Sequence, residues 1–114
     1  SPISLTVQLS QELDSRFRLA EVEAAVNAVP GADPWRKQFG DGLLRTIAQR
    51  RHAILAKILR ARAGRRDPQA WVAAYLERHS GPWREYEATL SQAFAQKQPD
   101  LVVLAVVVEM LDNF

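Results

Sequence analysis

Residues 35–62 read WRKQFGDGLLRTIAQRRHAILAKILRAR, the longest uninterrupted helical pattern in the chain. Trp35, Phe39, Leu43, Ile47, Ile54 and Ile58 form one apolar row, and Leu44, Ala48, Leu55 and Leu59 fill the adjacent one. Spacings of three and four place both rows on the face of a helix that lies on a core. No nucleophile, pair of metal ligands or phosphate loop falls along it, so the stretch predicts a scaffold. Gly40 and Gly42 weaken it near its start, each by about 1 kcal/mol relative to alanine. They either let another helix approach closely or mark a kink.

Proline and glycine punctuate the rest. Upstream, Ile3 to Leu13 reads as a first helix with Leu5, Leu9 and Leu13 on one face. Asp14-Ser15 supplies cap residues for a second, whose stripe is Leu19, Val22, Ala25, Val26 and Val29. Val29-Pro30-Gly31 stops it, and Asp33-Pro34 opens the long helix with a cap followed by proline at the first turn.

Downstream, Ala63-Gly64 ends the long helix, with Arg62, Arg65 and Arg66 complementing its dipole. Asp67-Pro68 repeats the cap-and-proline start ahead of Trp71, Val72, Tyr75 and Leu76. Ser80-Gly81-Pro82 restarts the chain for a fifth helix carrying Trp83, Tyr86, Leu90, Ala93 and Phe94, which lasts until Gln98-Pro99. Asp100 then caps Leu101 to Leu111.

That last segment is rich in β-branched residues: Val102, Val103, Val106, Val107 and Val108 would suit a buried strand. A lone strand has no partner for its backbone groups, so the segment is read as a helix, apolar nearly all round and enclosed by the others. Strand stays open as the alternative. The fold class expected is all-α: a single-domain bundle of about five or six helices over residues 1–114, with one long central helix.

The chain has 114 residues, no cysteine and a formal charge of +2. A chain this long buries roughly two-thirds of its unfolded surface and needs no staples. Without cysteine it has neither disulfides nor thiolate metal sites, and a reducing, cytoplasmic setting fits. Met110 is the only methionine, so Ser1 is not an initiator, and the chain reads as processed or cut from something longer. The run 101–108 is too short for a bilayer, which needs about 20 apolar residues, and no membrane partner is expected.

The charge is unevenly spread. Arg36, Lys37, Arg45, Arg50, Arg51, Lys57, Arg60, Arg62, Arg65 and Arg66 crowd the middle, with acids before and after. This marks either an anionic partner or two faces of a bundle that attract each other. On a helical wheel the basic residues scatter over all sides, whereas a helix reading a nucleic-acid groove gathers them on one. Nucleic acid therefore ranks last among partners. The tightest cluster, Arg60, Arg62, Arg65 and Arg66, is the candidate interaction surface.

No catalytic or metal-binding set emerges. His52 and His79 lack acidic or histidine neighbours at ligand spacing. His79, at the end of the fourth helix, sits where an imidazolium suits the dipole. Ser80, Thr89 and Ser91 have no assignable histidine partner. Glu85 and Glu87 are two apart on a helix and face different sides. Gly40-Asp41-Gly42 lacks the strand and third glycine of a dinucleotide loop. Trp35, Trp71 and Trp83 each sit beside a helix start and are read as packing over helix junctions, with interface anchors as the alternative.

The order of these features resembles the extreme C-terminal helical region of the large bacterial NAD-specific glutamate dehydrogenases. The residues that carry the likeness are Leu13, Arg16-Phe17-Arg18-Leu19, Val29-Pro30 and Trp35, followed by Leu43, Ile47, Ile54, Ile58 and Leu59 in the long helix. Asp67-Pro68 and the ending Leu104-Ala105-Val106-Val107-Val108-Glu109-Met110-Leu111 complete it. Four positions depart from the family pattern: Arg18 replaces a small residue or glycine, Ala20 an acid, and Arg45 and Thr46 aspartates.

The resemblance implies that hydride transfer between glutamate and NAD belongs to a region upstream, and that this chain holds no cofactor. It implies a non-catalytic appendage whose partners are other domains or subunits of the parent enzyme. A free-standing helical adaptor, holding a partner segment in an apolar groove near the last helix, is the alternative. A small basic nucleic-acid binder comes after it.

Overall fold

The computed structural model describes residues 2–28, 34–79, 81–96 and 100–114. The expected stops at Val29-Pro30-Gly31 and Gln98-Pro99, the Asp33 cap and Ser80 fall outside them, as do the side chains of Ile3, Leu5, Pro82 and Trp83.

Within those residues every element is helical: α1 (Pro2–Arg16), α2 (Leu19–Asn27), α3 (Pro34–Arg62), α4 (Pro68–Arg78), α5 (Gly81–Phe94), α6 (Leu101–Leu104) and α7 (Val106–Asp112). The long helix is central, as the spacing predicts. α3 packs against α1, α2, α4, α6 and α7, and α5 packs against α6 and α7. The envelope is elongated, 53 × 25 × 20 Å.

α3 runs unbroken through both glycines, so neither marks a break. Gly40 is buried where α2 and α6 converge: a Cβ there would lie 2.9 Å from Val26 Cγ1 and 3.9 Å from Leu101 Cδ1. It is the close approach, not the kink, that its small size permits. Gly42 has open space around the same position. The helix ends where Gly64 turns left-handed at φ +76°, and Ala63 and Arg65 donate their amides to the carbonyls of Arg60 and Arg62.

Local caps act where the sequence places them. Asp67 accepts the Ala70 amide at 3.1 Å with Pro68 opening α4, and Asp100 accepts the Val102 amide at 2.9 Å. Asp14 and Ser15 do not cap α2. They lie inside α1, and α2 starts instead from Arg18, which adopts φ +50° without a side-chain cap bond. The reason is a competing partner: Arg51 of α3 donates to both Asp14 oxygens, at 2.5 and 3.0 Å, and also to Ser10.

The terminal segment is a helix despite its valines. Ala105 interrupts it only slightly, with φ −62° and ψ −15° still helical, so α6 and α7 form one rod running parallel to α3. Leu101, Leu104, Val107, Met110 and Leu111 are its buried row. The rod is not enclosed, however. Val102 is 62% exposed, because α3 occupies the centre and the rod covers only one of its sides. The row on α3 is also shorter than expected: Trp35 is 59% exposed and stacks on half-buried Phe39, ring centroids 5.6 Å apart.

The core is otherwise continuous. Leu9, Leu13 and Phe17 of α1 meet Ile54 and Ile58 of α3, Leu76, Leu90 and the α6–α7 row. Phe114 closes it, edge-on to Phe17 at 5.0 Å and to Tyr75 at 5.8 Å, with its carbonyl accepting the Tyr75 hydroxyl at 2.8 Å. The uneven charge has an internal explanation in part. Arg51 reaches back to Asp14, and Arg50 reaches forward to Asp112 at 2.6 Å, so central bases hold flanking acids.

Candidate functional site

The four arginines singled out by the sequence lie together at the end of α3 and in the loop to α4, but they do not converge. Arg60 and Arg66 are exposed. Arg62 is half-buried in a cleft of about 200 Å³ between α1 and α4, beside Leu9, Glu12 and Val72. Arg65 donates Nε to the Ala61 carbonyl at 2.8 Å and lies 4.5 Å over the Trp71 ring. That cation–π contact, with Trp71 tilted against Tyr75 at 5.3 Å, fixes the α3–α4 corner. Arg65 thus has a packing duty, while Arg60 and Arg66 offer charge to solvent.

His79 ends α4 as its C-cap residue, 4.3 Å from the Tyr75 ring and 5.6 Å from Phe114. The favourable dipole position is opposed by its surroundings. Burial against these rings pushes its imidazole below the ordinary value, and Lys57 and Arg78 push in the same direction. His52 is exposed on α3. Glu85 and Glu87 are exposed on α5. No group of three histidines, aspartates or glutamates among the described residues is placed to hold a metal ion, and no described helix is long and apolar enough to cross a membrane.

A second polar cluster surrounds Arg18. Its guanidinium binds both Glu21 oxygens at 2.9 and 2.8 Å, donates to Ser91 Oγ at 2.9 Å, and lies 4.8 Å from the Phe94 ring. The hydrogen bond to Glu21 raises Arg18 above its ordinary value against the opposing effect of burial, and it holds Glu21 below the usual carboxylate value. This cluster ties the α1–α2 corner to α5.

The structure has an apolar groove beside the last helical segment, where the adaptor alternative expects one: about 580 Å³ between α3 and the α6–α7 rod, lined by Phe39, Gly42, Leu43, Ala105 and Val108, residues that sequence reasoning did not assign to it. Thr46, Glu109 and Asp112 close one end. Its signal in the sequence is Gly42 in mid-helix, which the interior does not require.

No curated protein and no solved structure matches the chain. The family model described as glutamate dehydrogenase, C-terminal, matches residues 1–113. The residues behind the resemblance have structural roles consistent with that match: Leu13 and Phe17 are core, and Arg16 pairs with Glu12 at 3.4 Å. This chain belongs to the glutamate dehydrogenase C-terminal family.

Proposed function

We propose that the chain is a non-catalytic helical domain of a large NAD-dependent glutamate dehydrogenase, acting in the structure, assembly or regulation of that cytoplasmic enzyme. Hydride transfer and NAD binding belong to the upstream dehydrogenase region, and the partners of this domain are other domains or subunits of the parent. The observation that carries the reading is the family match over residues 1–113. The interior supports it: the buried side chains among the described residues are apolar, and the ion pairs Arg50–Asp112 and Arg51–Asp14 join helices at the surface. Arg60 and Arg66 supply the basic part of the contact with the parent. Arg50, Arg51 and Arg65 already have partners within the chain, which weakens the case for nucleic acid.

Two measurements test this. The purified chain, given glutamate and NAD, is expected to form no NADH; turnover would overturn the assignment. Deleting the segment from the full-length parent is expected to lower its melting temperature or its native mass by sedimentation. A parent unchanged in both and fully active would overturn the assembly role.

A further inference from the structure

We propose that the groove between α3 and the α6–α7 rod is a docking site for an amphipathic helix of a partner polypeptide, one with bulky apolar residues along its face and lysine or arginine at one end. The groove is built from two parallel rows. Phe39, Gly42 and Thr46 line it on α3, continuing at spacings of four and three the row that begins at Trp35, and Ala105, Glu109 and Asp112 line it on the rod, continuing the row that begins at Val102. The two most exposed large apolar side chains among the described residues, Trp35 and Val102, open the rows at one end. Trp35 is stacked on Phe39, which puts a rigid aromatic wall beside the groove.

Gly42 is the second observation. It costs α3 stability, yet a Cβ there would meet nothing within 4 Å. In contrast to Gly40, no described residue packs closely enough on it to require a glycine. As floor of the groove it lets another backbone approach closely. From Trp35 to Thr46 the rows span about 16 Å, room for about three helical turns.

Charge selects the occupant. Asp112 is held by Arg50, whereas exposed Glu109 makes no ion pair among the described residues. A basic residue on the docked helix would complete that end, and an acidic one would be repelled. This names the partner chemistry for the docking role proposed above and so rests on it.

The probe is a synthetic four-turn helix with leucines at spacings of three and four and two lysines at one end, beside a twin carrying glutamates instead. The lysine peptide is expected to shift the amide resonances of Gly42, Thr46, Ala105 and Glu109 and to bind about tenfold more tightly than its twin. Glu109→Lys should reverse that preference. Gly42→Leu should fill the floor and abolish binding while leaving the melting temperature equal or higher. Equal binding of the twins, shifts elsewhere, or self-association through these same residues would overturn the proposal. Failure of the peptides without glutamate turnover removes the groove alone, whereas turnover removes the role it rests on.

Discussion

A methyl group on Gly40 would sit 2.9 Å from Cγ1 of Val26, where α2 packs on the long helix. Val26 is β-branched and buried in a helix, so it has little rotamer freedom with which to retreat. Gly40→Ala is therefore expected to lose about 1 kcal/mol, overpacking outweighing the better helix propensity. Gly42→Ala, two residues on, should gain about 0.5–1 kcal/mol, since the new methyl meets open space. Chemical denaturation of the two variants checks the opposite signs. Equal shifts would show that α2 does not press on α3 here.

Arg18 holds φ +50°, where a side chain carries a steric penalty and glycine does not. A small residue is what the family pattern favours at this place. Arg18→Gly and Arg18→Ala both remove the contacts to Glu21, Ser91 and Phe94, so their difference isolates the backbone. The glycine variant is expected to be more stable by about 1 kcal/mol. Identical unfolding midpoints would mean that the turn relaxes without strain.

Leu104 and Val102 lie on the same short helix in opposite environments, 0% and 62% exposed. Leu104→Asp places a charge in the core and should cost more than about 4 kcal/mol, enough to abolish cooperative melting. Val102→Asp should stay within about 0.5 kcal/mol of the parent sequence. Similar melting temperatures for the two would contradict the orientation of the rod.

The lowered His79 imidazole makes stability depend on pH with a definite sign. Above its ordinary value of 6.5 the ring is neutral in both folded and unfolded chains and has no effect. As pH falls through that value the unfolded chain takes up the proton first, so stability drops. The drop ends below the lower folded value, where both states are protonated. His79→Phe should remove this part of the slope, which sets in as pH falls through the ordinary value of 6.5, in urea titrations. A variant whose midpoint tracks that of the parent sequence at every pH would show that the ring titrates normally.

Much of the fold was readable because its boundaries are made locally. Asp67 with Pro68, and Asp100 ahead of Val102, satisfy helix ends within a turn of themselves, so spacing alone reveals them. The terminal valines were decided correctly by a global argument, since a single strand would strand its own backbone groups. Asp14 was misread because its choice depends on Arg51, far along the chain, and a charged partner outcompetes a cap. Trp35 was misread for a related reason. Periodicity places a side chain on a face, but only the neighbouring helices decide whether that face is covered. The groove follows the same logic: its two rows come from opposite ends of the sequence, and nothing local joins Gly42 to Ala105.

Phe114 lies edge-on to Phe17, and the Tyr75 hydroxyl grips its carbonyl. On the ribosome, α1 emerges well before Phe114, the residue that seals its aromatic surface. The native core cannot close progressively as the chain lengthens. Leu13 and Phe17 must wait, uncovered, until synthesis has passed the α6–α7 rod, and during that interval a nascent chain is open to chaperones or to wrong pairings.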